Sequence, residues 1–303
     1  MATGAKASVM FGFETNFGTA AACTKTFGRG VSISELSEEN NLERVYGIGS
    51  KSPQAIDVGQ YGISFGVEFN VASPDFLQCL FGAPVSGVWT NEGTPNSTTV
   101  QISKPISGSS AEISKYTGCI CTDCSLDLTN ERAVKASMSF LAANVSTAES
   151  SIPAQVMDTE DIYTYAECNY YLGDQKLAAV QNANITLTQN AELVYGLGNR
   201  FGVGEEYLQQ EISVTCVNRY DNPALFRQKM MGGSSVPSQT GPTSIPLIKI
   251  GLESLKDGSD IIFEFSDCLI NSYSSPASNA EIITEEVEIM PLGLKITTKE
   301  SAA

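Results

Sequence analysis

Three cysteines within six residues, in Gly118-Cys119-Ile120-Cys121-Thr122-Asp123-Cys124, form the densest group of metal-capable side chains in the chain. Thiolates this close can hold zinc or an iron–sulfur cluster. Cys119 and Cys121, however, lie two apart on a predicted strand and share one face, as core residues do, and no fourth ligand pair is evident. Burial is the expectation for all three. The chain has no histidine, which removes the commonest general base and the commonest transition-metal ligand. The N-terminal residues lack the apolar stretch of a signal peptide, so the eight cysteines are expected as reduced, buried thiols rather than disulfides.

Gly196-Leu197-Gly198-Asn199-Arg200-Phe201-Gly202 has the glycine spacing of a phosphate loop. That chemistry needs a helix to follow. Here another strand follows, and the segment reads as a turn. The acidic pairs Glu38-Glu39, Glu205-Glu206 and Glu285-Glu286 lack calcium-loop spacing and read as solvated faces. Sequons at Asn96, Asn144 and Asn184 mean little without export. No catalytic, cofactor-binding or metal-ligating set emerges. The expectation is a non-enzyme without cofactors that acts by shape and assembly.

Composition narrows the partners. The 303 residues are 42% hydrophobic and 17% charged, enough for about two globular domains. The formal charge of −16 opposes attraction to nucleic acid or anionic lipid. Basic residues are scattered singly, without the basic and aromatic stripe of a nucleic-acid groove. No apolar run reaches the roughly 18 residues of a spanning helix.

The elements repeat. Val45-Tyr46-Gly47-Ile48-Gly49-Ser50-Lys51 returns as Val194-Tyr195-Gly196-Leu197-Gly198-Asn199-Arg200, 149 residues later. At the same spacing Gln60, Ile63, Ser64, Pro74 and Cys119 meet Gln209, Ile212, Ser213, Pro223 and Cys268. A constant offset over this length points to an internal duplication, with domains at 1–145 and 146–303. Residues 1–30 read as an irregular arm ending in a short strand. Strands are predicted at Val31–Leu36, Leu42–Ile48 and Gly62–Ala72, with a loop over Ser37–Asn41. Ser73, Pro74 and Gly82 have the types that cap, open and stop a short helix. A loop over 83–99 leads to strands Thr99–Ile106, Ala111–Tyr116, Gly118–Leu128 and Ala133–Leu141, and 143–160 reads as a connector. The second copy repeats the order. Its strands are Ala183–Thr188, Leu193–Leu197 and Gln210–Asn218, and a helix capped by Asn222-Pro223 ends at Gly232. After a loop over 232–244, a hairpin of Ile245–Leu252 and Ile261–Ile270 turns at Lys256–Ser259. Strands Glu281–Ile289 and Leu292–Thr297 complete it. The fold class is mainly β: two tandem sandwiches or partly closed barrels, each with one short flanking helix.

The opening Phe11-Gly12-Phe13-Glu14-Thr15-Asn16-Phe17-Gly18-Thr19 resembles the arm of many tailed-phage tail tube proteins. So does the order that follows it: an alternating strand, Val45–Lys51, a turn, a long strand, a capped helix, then Gly118–Asp123 leading into an alternating strand. The resemblance covers most of both copies. It implies a β-sandwich or barrel whose inner sheets join, six domains to a ring, around a lumen, with rings stacked into the channel for genome delivery. With two domains per chain it implies a homotrimeric, pseudo-sixfold ring. The implied partners are further copies of the chain, the tape measure protein and genomic DNA transiently in the lumen, and other tail proteins, including a sheath where the tail contracts; no membrane is involved. The implied location is the virion tail, after assembly in the host cytoplasm. The alternative is a neck, tail-terminator or baseplate ring protein of the same virion or of a related contractile injection system.

In Gly62–Ala72, Ile63, Phe65, Val67, Phe69 and Val71 alternate with polar residues, so one face is buried and the other wet. The wet-face residues Ser64, Glu68, Asn70, Lys135, Ser137, Ser139, Ser213, Thr215, Glu286 and Glu288 are the candidates for the lumen implied by the resemblance. The alternative for them is outside solvent. A small, polar, net acidic lining would repel phosphate and let DNA slide.

Overall fold

The computed structural model describes residues 7–106, 110–130, 132–151, 154, 160–222, 224–256, 259–276 and 283–299. The chain opens with β1 (Ser8–Phe13), β2 (Arg29–Glu39), β3 (Leu42–Tyr46), β4 (Pro53–Val58) and β5 (Gly62–Asn70). A 3-10 turn at Asp75–Leu77 runs into α1 (Gln78–Phe81). Next come β6 (Val88–Thr90), β7 (Thr98–Pro105), β8 (Ser110–Thr129), β9 (Lys135–Leu141) and β10 (Asn144–Ser151). The rest comprises β11 (Cys168–Leu172), β12 (Gln175–Lys176), β13 (Val180–Thr188), β14 (Ala191–Tyr195), β15 (Gly202–Tyr207), β16 (Glu211–Arg219), α2 (Arg227–Met231), β17 (Ile245–Glu253), β18 (Asp260–Ser274), β19 (Thr284–Met290) and β20 (Gly293–Lys299). The architecture is mainly β.

Strand bounds and pairings recur at the spacing seen in the sequence. β3, β4, β5 and β9 begin and end 149 residues before β14, β15, β16 and β19. Asn41 (φ 47°) and Asn190 (φ 46°) hold matching left-handed positions, and each donates its side-chain amide to the carbonyl 19 residues on, Gln60 and Gln209. Gly118 (φ 59°) and Asp267 (φ 51°) match in the same way.

β8 is a single 20-residue strand, not the two strands expected over 111–116 and 118–128. Gly118 is its hinge. At that positive φ a side chain is strained, and a Cβ would also lie 2.8 Å from Ala143 and 2.9 Å from Phe17. Before the hinge β8 pairs with β7 and β10; after it, with β9 and β13. One strand thus serves both layers of a sandwich. The core between them is aromatic: Phe11 stacks on Phe27 at 4.3 Å, Phe27 meets Phe69 and Phe140, and Phe65 meets Phe140 and Tyr116.

Other expectations are corrected. The arm begins, rather than ends, with its strand: β1 pairs with β7. Ser37, Glu38 and Glu39, expected in a loop, extend β2; Glu38 stays there by accepting from the hydroxyls of Tyr61 (2.6 Å) and Tyr116 (3.0 Å). The expected connector opens with β10, paired along β8. β6 lies within the expected loop 83–99 and pairs with β20. Neither helix has a side-chain cap; Ser73 caps nothing, because the helical turn starts beyond Pro74. Gly82 (φ 71°) and Gly232 (φ 64°) do stop the two helices. Pro223, residues 257–258 of the expected turn and the first residues of the strand expected from Glu281 lie outside the described residues.

Glu14 ties the arm to the sandwich. Its buried carboxylate accepts from Thr99 Oγ1 (2.8 Å), the Gly118 amide (2.9 Å) and the Gly18 amide (2.8 Å). Removing a buried acceptor leaves its donors desolvated and unpaired, so Glu14→Ala is expected to lower stability by about 2 kcal/mol. Urea denaturation measures this, and an unchanged midpoint would show that the arm is held by its phenylalanines alone.

Candidate functional site

The ten polar candidates occupy one face of one sheet. Directly opposed antiparallel residues point to the same side. Glu68 pairs with Ser137, Asn70 with Lys135, Thr215 with Glu288, and Ser139 with Gly66, which lies between Ser64 and Glu68 on the same face. Between these groups run Asp123, Ser125 and Asp127 of β8, opposite Thr188, Thr186 and Asn184 of β13. Thr186 in turn opposes Ser213, and Val217 opposes Glu286. The face therefore runs without a break across β2-β5-β9-β8-β13-β16-β19-β18.

Its middle was missed from the sequence, although Asp123, Ser125 and Asp127 alternate with Cys124, Leu126 and Leu128, which are buried. In the sequence the stronger chemical signal of this stretch belongs to the neighbouring cysteines. On these strands seven carboxylates (Glu39, Glu68, Asp123, Asp127, Glu211, Glu286 and Glu288) stand against Arg29, Lys135 and Arg219. Glu288 accepts from the Asn271 amide (2.8 Å) and the Ser272 hydroxyl (3.1 Å). Such a face offers an exposed, predominantly anionic surface with no cleft focused on one atom.

Glu285 departs from the expectation of a solvated acidic pair. It is fully buried and accepts from Asn218 Nδ2 at 2.9 Å. Period two turns it inward when Glu286 turns outward. Glu38, too, is engaged by its two tyrosines rather than left as a free solvated charge.

The cysteines lie elsewhere. Cys119 and Cys121 are buried and donate their thiols to the carbonyls of Tyr116 and Asp123; Cys268 repeats the Cys119 contact with Phe265. The register slips between Cys121 and Asp123, and this bulge brings Cys124 back to the core side. Among the described residues no group of three or more His, Cys, Asp and Glu side chains could hold a metal ion, and no helix is long and apolar enough to cross a membrane.

The site is also defined by where the sheet stops. β8 and β13 pair over seven residues, from Thr129–Asn182 to Asp123–Thr188, and so fuse two four-stranded sheets into one. Among the described residues β2 pairs only with β5, and the end of β18 from Leu269 to Ser274 pairs only with β19. The fused sheet thus has one open edge at each end.

A family model described as phage tail tube protein matches residues 4–291. No curated relative matches the chain. Among solved structures, a chain of the virion of the native gene transfer agent particle is 14% identical, with a TM-score of 0.32, covering 44% of this chain and 96% of that one. A chain from the tail of the empty gene transfer agent particle, refined with C6 symmetry, is 15% identical, with a TM-score of 0.30, covering 45% and 94%.

Burial makes the thiols unreactive. It pushes Cys23 up to about 11 and Cys124, Cys168, Cys216 and Cys268 up to about 12, and it raises Cys79, Cys119 and Cys121 as well. Thiolate is the reactive form, and here it accumulates only as pH rises through those values. At pH 8 iodoacetamide is expected to modify Cys23 and Cys168, the two partly exposed thiols, slowly and the other six only after unfolding. Intact mass of the unreduced, denatured protein should then show eight additions. Fewer would reveal a disulfide, and rapid native labelling of all eight would refute the buried setting.

Proposed function

The chain belongs to the phage tail tube protein family, and on that premise we propose that three copies close into a ring of six β-domains whose polar face lines a channel. As a member it is a structural component of the virion tail. One observation carries the proposal: the β8–β13 pairing. It already joins two domain sheets edge to edge, and the chain ends that sheet in two edges related to the joined ones by the 149-residue offset. An open edge leaves a row of unpaired backbone groups. Applied between copies, the same pairing sets Ser37, Glu38 and Glu39 of one chain opposite Ser274, Tyr273 and Ser272 of the next.

We take the two halves to be copies of one domain, joined beyond β10 rather than at residue 145. Three fused sheets give a barrel about 48 Å across its backbone, from the usual strand spacing and tilt, wide enough for a DNA duplex. The lining carries Ser64, Glu68, Asn70, Lys135, Ser137, Ser139, Ser213, Thr215, Glu286 and Glu288. Its net negative charge keeps phosphates from adhering. Transient occupants are the tape measure protein and the genome, and the outer surface meets the remaining tail proteins.

Electron microscopy of the concentrated protein is expected to reveal hollow tubes with three chains per ring; isolated rings that never stack would favour a neck, terminator or baseplate role. The triple variant Glu68→Lys, Glu286→Lys and Glu288→Lys is expected to assemble normally and to retain duplex DNA in a salt-sensitive way, where the unaltered tube does not. Loss of assembly in this variant would place these side chains at contacts instead.

A further inference from the structure

Two hairpins that form separate two-stranded sheets, β3–β4 and β14–β15, have matching bounds and unlike surroundings. The second, β14–β15, lies on the first half. A Cβ at Gly202 would stand 3.1 Å from that of Ala143. Arg200 donates from Nε to the Gly59 carbonyl (3.1 Å) and from Nη2 to Asn40 Oδ1 (2.7 Å). The Tyr61 amide donates to the Arg200 carbonyl at 2.8 Å, and the Tyr61 ring meets Phe201 edge-on at 5.8 Å. Gln189, at the hairpin's base, donates to the carbonyls of Thr122 and Leu80. At this corner Ile120 and Ala143 are buried.

The first hairpin, β3–β4, has no such cover. Every residue of both strands is exposed, including Leu42, Val45, Tyr46, Ile56 and Val58. A projecting apolar hairpin of this kind marks a contact surface. The matching corner of the second half is bare as well. Leu269 and Leu292 occupy the positions of Ile120 and Ala143, yet they are 37% and 75% exposed, and neighbouring Met290 is 52% exposed. Both members of a contact made once within the chain are thus present a second time, uncovered, at its two opposite ends.

We propose that the hairpin Leu42–Val58 docks on the Leu269–Met290–Leu292 corner of a second copy of the chain, as the hairpin Ala191–Tyr207 docks on the first half. Pro53 takes the place of Gly202 and meets Leu292. Lys51 takes the place of Arg200 and brings its cation to the Leu208 carbonyl, the counterpart of Gly59. The docking rests on the ring reading above and adds to it a clamp of side chains over each seam between copies. The edges agree with this. Val88–Thr90 covers β20 within the chain, while β10, which matches β20 in position, is exposed at every residue but Val145.

The test is a double variant, Pro53→Cys with Leu292→Cys, in the full-length chain. The matched pair lies within reach of a disulfide, whose Cβ atoms stand about 3.8 Å apart. Mild oxidation of assembled protein is expected to give linked species of two and three chains on a denaturing, non-reducing gel, collapsing with reductant and missing from both single variants. Assembly without that ladder would overturn the docking while leaving the ring intact. Failure of the unaltered chain to form rings would overturn both. A second variant, Leu292→Asp, alters an exposed residue; it is expected to melt as the unaltered chain does, yet to lose at least tenfold in assembly at equal concentration. Normal assembly of Leu292→Asp would also sink the proposal.

Discussion

Backbone pairing between β8 and β13 is the constraint on which the molecule depends. It consumes the edge of one sheet against the edge of the next and fixes which side chains share a face. Sheet edges carry unpaired donors and acceptors that must be paired, covered or made unattractive. Here one pair of edges is resolved inside the chain and an equivalent pair is left open. Polarity follows from this: with the layer between the sheets filled by phenylalanine, the other side of the continuous sheet is left to Ser, Thr, Asn, Asp and Glu.

The long β8 makes that pairing possible. Its N-terminal half belongs to the layer of β7 and β10 and its C-terminal half to the polar sheet, and the turn at Gly118 lets one strand do both. The Glu14 carboxylate holds this hinge from the arm side through the Gly118 amide. The arm is therefore mechanically continuous with the hinge and the seam, although Glu14 and Gly118 are 104 residues apart in the sequence.

Much of this was legible from residue patterns. β5 alternates so strictly that its buried and wet faces could be assigned residue by residue, and the spacing between Val45 and Val194 foretold where matching strands would stand. What escaped notice has physical causes. In the sequence Gly118 marks a boundary, since glycine weakens a strand interior, whereas at φ 59° it bends one continuous strand. β10 is an exposed edge strand whose one large apolar residue is Val145, so it shows no apolar alternation. Glu285 was paired with Glu286 as solvated because two adjacent carboxylates look alike in a string, and only strand phase separates them. The central carboxylates Asp123 and Asp127 lay beside cysteines that invited another question. The setting of β14–β15 depends on contacts between halves, which no local pattern reports.

The seam between β8 and β13 also changes the kinetics of association. Partners held in one chain meet at an effective concentration set by the segment that joins them, whatever the bulk concentration. That seam therefore closes by a first-order event as each chain folds, and dilution does not weaken it. In the proposed ring only the edges β2 and β18 are left to be found by diffusion. In the proposed ring, a cell making few copies of this chain begins with pre-joined sheets and faces half as many concentration-dependent encounters as it would with the same halves made separately.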